Sequence, residues 1–110
     1  MELKIIKTKK KYQEYLDWVD KMFDKKVPMI SSTKAFTGHT LGASGGIEAV
    51  FAALAVQEGI IYPNAHFTTP MKECPLVPAT AFSSGNRIPH VMSNSFGFGG
   101  NCSSLVFSKQ

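Results

Sequence analysis

The sequence predicts an α/β fold that contains a buried helix and a C-terminal β-hairpin. The run from Ile47 to Gln57 is nearly all apolar, and a helix that is apolar on every face is expected to be buried on every face. Two strand-like stretches, 91–96 and 103–107, flank the glycine-rich turn 97–101, which is typical of an antiparallel hairpin. Helix and sheet are therefore expected in a layered α/β arrangement.

The charges of the chain are distributed unevenly. Residues 1–26 contain eight lysines and five acidic residues, whereas residues 27–110 contain only seven charged residues in total. A free-standing small domain exposes most of its residues to water, and about a quarter of them are usually charged. We therefore divide the chain into a charged lead, 1–26, and a segment, 27–110, that is expected to lie inside a larger layered fold or to form one face of an obligate dimer.

An amphipathic helix is predicted in the charged lead, after a possible short strand at residues 3–6. The helix should end by residues 25–26, because Pro28 biases the preceding residue away from helical angles. Its apolar stripe comprises Tyr12, Tyr15, Leu16, Val19, Met22 and Phe23. The basic run 9–11 is interpreted as the solvated start of this helix, since interleaved arginine and aromatic residues that would indicate nucleic-acid contact are missing.

The elements after residue 27 follow from local signals. Residues Met29–Thr33 are predicted to form a short buried strand that leads into the glycine-rich stretch before the apolar helix. Gly59 is expected to end that helix. Residues 60–90 contain five of the six prolines and are predicted to be mostly loop, with short extended pieces near 60–62 and 80–83.

Composition narrows the class of protein. A hydrophobic fraction of 44% excludes disorder. No apolar run reaches the roughly 18–20 residues that span a bilayer, and no signal-peptide pattern is present, so a cytoplasmic protein is expected. Cys74 and Cys102 have no metal-like spacing and are expected to be free thiols, with Cys102 buried. No metal site is predicted.

Three features of residues 27–110 point to chemistry. His39 precedes the buried helix, whose N-terminal N–H groups and macrodipole disfavour a positive charge, so a neutral imidazole could donate a hydrogen bond to a carbonyl oxygen. Lys34, at the end of the predicted strand, needs a carboxylate partner or a functional pocket if it is buried. The turn 97–100 exposes backbone N–H groups and leaves Phe98 free to swing.

Each feature also has a structural interpretation. His39 could be a cap or packing residue, Lys34 could extend its ammonium group to water, and the glycine turn could simply close a hairpin. His66 and His90 lie in proline-rich surroundings and are interpreted as structural.

Two motifs in this order resemble one enzyme family. Residues Ser32–His39, followed by Gly42–Gly45, resemble the β-ketoacyl synthase motif around its second catalytic histidine, and Asn94–Gly100 resembles the C-terminal gating loop of that family. The resemblance covers residues 27–109 and is closest to ketosynthases of aryl-polyene or flexirubin-type pigment pathways. Residues 1–26 weakly resemble the N-terminal lead of some helix-turn-helix antitoxins.

The resemblance implies part of a thiolase-like fold, its C-terminal half, with a mixed sheet and a dimeric assembly. It also implies decarboxylative Claisen condensation of an acyl thioester with malonyl-acyl carrier protein, without a cofactor. His39 would stabilise the enolate, and Lys34 would orient that histidine. Phe98 and Gly99 would form the oxyanion hole and gate. The acyl-pocket loop would comprise Phe96, Gly97 and Gly100.

The chain also departs from this family. Neither cysteine stands at the head of a helix, where the family has its nucleophile, and the upstream His-Gly-Thr motif is missing. We therefore expect the isolated 110 residues to be inactive and residues 1–26 to be of foreign origin. Two alternatives are a non-catalytic partner, similar to chain-length-factor subunits, and an antitoxin-like interaction or DNA-binding module. The expected partners are acyl carrier protein thioesters and a full synthase, with neither membrane nor nucleic acid.

Overall fold

The computed structural model describes Asp17 and residues 21–24, 26–73 and 75–110. The elements in this part of the chain are helix α1 (Lys34–Thr37), a 3₁₀ turn (Leu41–Ala43), helix α2 (Ser44–Glu58), and strands β1 (His90–Phe96) and β2 (Cys102–Ser108). The predicted strand at 3–6 and most of the predicted lead helix lie outside the described residues. Residues 21–23 are helical, and the left-handed Asp24 that follows (φ 49°) ends the helix before Pro28, as expected.

The C-terminal hairpin is confirmed. Strands β1 and β2 pair antiparallel in the register His90 with Ser108 through Phe96 with Cys102. The turn is closed by the Gly97 N–H, which donates to the Asn101 carbonyl at 2.7 Å. The second turn bond runs from the N–H of Gly100, which has φ 86°, to the carbonyl of Gly97 at 3.1 Å. The left-handed angle explains why glycine is needed at this corner.

Helix α2 packs against both strands of the hairpin. Its buried residues are Ser44, Ala52, Ala55 and Val56. The closest approach is at Gly45, where a Cβ atom would lie 3.2 Å from the Ser95 side-chain oxygen of β1. Glycine at this position therefore lets the first turn of α2 come close to the end of β1.

Gly59 ends α2, as predicted. It adopts the left-handed conformation (φ 64°, ψ 40°), and its N–H donates to the Ala55 carbonyl. A Cβ atom on Gly59 would collide with the backbone of Asn86, whose N–H in turn donates to the Gly59 carbonyl at 3.1 Å. Both the backbone angle and this neighbour require glycine.

The prediction that α2 is buried on all sides is wrong. Val50 is 59% exposed and Leu54 is 39% exposed. The physical reason is that an apolar helix face favours burial but does not show which element, if any, packs against it. Within the described residues the hairpin packs against the opposite face of the helix.

The predicted strand at Met29–Thr33 is also wrong, because these residues form no strand in the described part of the chain. Two contacts hold the segment instead. The Ala79 N–H donates to the Ile30 carbonyl at 2.9 Å, and the Ser32 N–H donates to Oδ1 of Asn64 at 2.8 Å. A strand needs a neighbour along its length. Because residues 29–33 do not join the hairpin as a further strand, the described sheet has two antiparallel strands. The expected mixed sheet is not found in the described residues.

The long loop contains the expected extended pieces. Ile61 and Ser83 form an isolated antiparallel bridge, with N–H to carbonyl distances of 2.9 and 3.2 Å. Beside it, the ring of Tyr62 meets the ring of Phe51 on α2 edge-on, with the ring centroids 5.3 Å apart. Partial burial raises the pKa of Tyr62 above its ordinary value. In the described residues we find no helix with the length and apolar character to cross a membrane.

Candidate functional site

His39 lies on an exposed turn between α1 and α2, and the backbone sets the role of its ring nitrogens. The N–H of Leu41 donates to Nδ1 of His39 at 3.0 Å. A neutral imidazole that accepts at Nδ1 carries its proton on Nε2. The N–H donor of the exposed ring is therefore at Nε2.

Leu41 reaches this position through an unusual backbone conformation. Its φ of 51° is left-handed, a conformation that is uncommon for a residue with a branched side chain. The 3₁₀ turn that begins at Leu41 separates His39 from the first turn of α2, so the histidine does not directly precede that helix as expected. Sequence reasoning did not identify Leu41, since no sequence signal marks this angle.

Lys34 is paired with a carboxylate, as predicted for a partly buried ammonium. Its Nζ forms a hydrogen-bonded ion pair with Oε1 of Glu48, and the two side chains are 21% and 15% exposed. Lys34 begins helix α1 and does not end a strand, which corrects its expected place. Because Glu48 lies on α2, the pair ties α1 to α2 and closes the loop that carries His39.

Sequence reasoning did not identify Glu48, although a signal was present. Glu48 is the only charged residue in the apolar run 47–57. A single carboxylate in such a run needs a partner once the helix packs, and Lys34 is the nearest cation upstream.

The glycine turn lies at the same end of the molecule as His39. Gly45 in the first turn of α2 adjoins Ser95, which stands next to Phe96 at the end of β1. Phe98 extends from the turn and is 93% exposed. The structure therefore brings the two predicted motifs to one end of the helix–hairpin pair, with Phe98 open to water.

The remaining sequence predictions for this region have mixed outcomes. Cys102 is a free, exposed thiol, so the expectation that it is buried is wrong. It begins β2, whose outer side has no covering layer in the described residues, and its Sγ lies 3.5 Å from the Gly100 carbonyl. Cys74 lies outside the described residues. His66 is exposed, and Nδ1 of His90 lies 2.8 Å from Oγ of Ser108 across the hairpin.

Two clefts lie at the opposite end of α2. Their volumes are about 280 and about 260 Å³, and both are lined by Val56 and Lys109. Arg87 lines the larger of the two. His39 and the glycine turn instead present an open surface. A search of the described residues finds no group of three side chains that could hold a metal ion.

Comparison with known proteins identifies the family. Residues 15–68 match the family model of the β-ketoacyl synthase C-terminal domain, and this range begins inside the charged lead. The chain is 48% identical over 80 residues to 3-oxoacyl-[acyl-carrier-protein] synthase 2 of Staphylococcus aureus, which covers 73% of this chain and 19% of that protein. The chain carries a C-terminal segment of a β-ketoacyl synthase.

A second relative supports the same assignment. The chain is 39% identical over 94 residues to 3-oxoacyl-[acyl-carrier-protein] synthase 1 of Haemophilus influenzae, over 83% of this chain and 23% of that protein. The chain thus spans about a fifth of the length of the β-ketoacyl synthases that it matches. His39, Lys34 and Glu48 all fall within the range matched by the family model.

Proposed function

We propose that this chain supplies the malonyl-binding part of a β-ketoacyl synthase that condenses an acyl thioester with malonyl-acyl carrier protein in fatty acid or polyketide synthesis. The observation that carries the proposal is the hydrogen bond from Leu41 to Nδ1 of His39, which leaves Nε2–H as the donor of the ring. Both relatives are named as synthases that act on acyl carrier protein substrates.

His39 would act on the developing enolate. When the carbon–carbon bond to the carboxylate breaks, carbon dioxide leaves and its electron pair forms an enolate on the malonyl thioester. The Nε2–H donates to that enolate oxygen and lowers the barrier, as preorganised donors do. The enolate carbon then attacks the acyl thioester carbonyl, and the thiolate leaves. Neutral histidine performs this role without transferring its own proton.

Lys34 would act through His39 as a positioning residue. Its ion pair with Glu48 fixes the loop between α1 and α2 and so fixes the histidine turn. In the glycine turn, the backbone N–H groups of Phe98 and Gly99 would form the oxyanion hole, and the Phe98 ring would gate the acyl site. The flanking loop residues of the acyl pocket would be Phe96, Gly97 and Gly100.

The 110 residues by themselves would not complete this reaction. Catalytic groups that act as a unit lose nearly all turnover when one is removed. Cys102 begins a strand and does not stand at the head of a helix, where a thiolate would be stabilised. We therefore propose that this segment is part of a thiolase-like fold in a larger cytoplasmic protein assembly, and that other residues of the assembly supply the nucleophile.

The proposal can be tested by titrating the ¹⁵N-labelled chain with malonyl-pantetheine. We expect the amide signals of Leu41, Phe98 and Gly99 to shift together along one binding curve. His39→Asn should abolish the shifts at Phe98 and Gly99.

The matched control for this titration is His66→Asn. His66 is also exposed, and its φ of 60° is one that asparagine tolerates. This variant should bind as the original chain does. Equal binding by the His39 and His66 variants, or shifts confined to the cleft lined by Val56 and Lys109, would contradict the proposal.

A non-catalytic partner subunit is the second candidate. The exposed apolar face of α2, with Val50 59% exposed, is the observation that favours it. Such a subunit would co-purify in a defined ratio with a complete synthase and would need neither His39 nor Lys34 for that association. Loss of association in the His39→Asn variant would argue against this candidate.

A further inference from the structure

One face of helix α2 is in contact with both motifs of the candidate site. This face contains Gly45, Glu48, Ala52, Ala55 and Val56, which follow Gly45 at a spacing of 3, 7, 10 and 11 residues. Glu48 holds Lys34 and with it the loop that carries His39. Gly45 adjoins Ser95 near the end of β1. The same helix therefore supports the histidine turn and the strand that leads into the glycine turn.

The contact between Gly45 and Ser95 leaves little room for a side chain on the helix. A Cβ atom at Gly45 would lie 3.2 Å from Oγ of Ser95 and 3.9 Å from its Cβ. The first distance is tighter than ordinary van der Waals contact, and the second is not. The hydroxyl oxygen of Ser95 therefore limits how close the helix and the strand come. A Cβ atom at the next position, Gly46, would meet nothing within 4 Å outside the helix itself among the described residues.

The position of Ser95 is passed on to the glycine turn along a short stretch of backbone. Strand β1 ends at Phe96, the next residue. Gly97 then closes the turn with the hydrogen bond of 2.7 Å from its N–H to the Asn101 carbonyl. Ser95 is also paired with Ser103 across the hairpin, so both strands next to the turn share its position. A displacement of Ser95 relative to α2 is therefore expected to displace the turn as well.

We propose that Ser95 is a positioning residue: its contact with Gly45 sets the distance between the N–H groups of the glycine turn and His39. The inference rests on the proposed function, in which Phe98 and Gly99 would form the oxyanion hole. Donors of such a site must be held within about 0.5 Å of the productive geometry. A Cβ atom at Gly45 would require its neighbour to move by a few tenths of an ångström, which is comparable to that tolerance. Ser95 acts through the turn and not on the substrate.

Amide spectra of the ¹⁵N-labelled chain test the contact without a ligand. Gly45→Ala should shift the signals of residues 96–100, whereas the matched control Gly46→Ala, which adds the same methyl group to the same helix turn, should leave them unchanged. Combining Gly45→Ala with Ser95→Ala removes the crowding oxygen and leaves the contact of 3.9 Å. The signals should then match those of Ser95→Ala alone. Because a serine hydroxyl can rotate away from one methyl group, Gly45→Val and its control Gly46→Val repeat the comparison with a bulkier side chain.

Titration with malonyl-pantetheine separates positioning from a general structural role. In Gly45→Ala the ligand should still shift the amide signal of Leu41, while the response of Phe98 and Gly99 is lost, and Ser95→Ala should restore that response. Equal losses at Leu41 and Phe98 would indicate a structural role and would overturn the proposal. So would turn signals that move in neither Gly45 variant, or a response that Ser95→Ala does not restore.

The two measurements also distinguish failure of this inference from failure of the proposed function. If the original chain does not bind malonyl-pantetheine, the proposed function is contradicted. The spectra of the free chain then decide by themselves whether the contact between Gly45 and Ser95 sets the position of the glycine turn.

Discussion

At the scale of single residues, the site depends on two interactions, one hydrogen bond and one ion pair. The Leu41 N–H assigns the ring proton of His39, and Glu48 holds Lys34. Sequence reasoning identified the histidine and the lysine because both are unusual in an apolar, glycine-rich stretch. It did not identify their partners. The backbone angle at Leu41 leaves no pattern in the sequence, and the signal at Glu48, a single charge in an apolar run, lies 14 positions from Lys34.

The ion pair should contribute to the stability of the chain. Glu48→Gln removes the carboxylate and leaves the ammonium of Lys34 partly buried without its charge partner. We expect the free energy of unfolding to fall by about 1–3 kcal/mol, as for other buried charged groups that lose a partner. Urea unfolding measures this change. Glu58→Gln, at an exposed position of the same helix, should cost less than about 0.5 kcal/mol; equal effects would show that the pair is not stabilising.

Tyr62 should make stability depend on pH in the alkaline range. Burial raises the pKa of its phenol in the folded state, so the fold favours the protonated form. The contribution is fully present below the ordinary pKa of about 10 and is lost as the pH rises through the higher folded value. Urea midpoints measured from pH 8 to 12 should fall more steeply for the original chain than for Tyr62→Phe. Parallel curves would contradict this assignment.

At the scale of elements, prediction succeeded where a local signal decides the structure. The glycines at 97–100 predicted the hairpin, and Gly59 predicted the end of α2. It failed where a distant neighbour decides. Residues 29–33 have the composition of a strand, but a strand forms only beside another strand. The apolar composition of α2 predicted burial. It could not show that the described hairpin would pack against one face of the helix and leave another exposed.

The end of α2 offers a direct test of why glycine is needed there. Gly59 and Gly85 both have positive φ, 64° and 72°, but only Gly59 is crowded by the backbone of Asn86. Gly85→Ala should therefore cost only the strain of the angle, about 1 kcal/mol. Gly59→Ala should cost several kcal/mol or prevent folding, because the neighbouring backbone must move. Thermal unfolding of both variants compares them, and equal costs would exclude a steric role of Asn86.

At the scale of the whole molecule, the charge count and the structure agree. The shortage of charge in residues 27–110 predicted a segment that lies inside a larger arrangement. Among the described residues no large side chain is fully buried, and the buried hydrophobic residues are Ala52, Ala55, Val56 and Ala79. The chain corresponds to about a fifth of the length of its relatives, which accounts for the small number of buried hydrophobic residues. A chain that is monomeric by light scattering and unfolds cooperatively by circular dichroism would contradict this view of the segment.

The bond between Leu41 and His39 joins residues only two positions apart. The direction of the imidazole relative to its own backbone is therefore set within a single peptide turn, and the ion pair between Lys34 and Glu48 holds that turn in place. Engineers could transplant residues 37–43 into an unrelated scaffold and retain an outward-pointing donor, provided that the graft preserves the left-handed angle at Leu41.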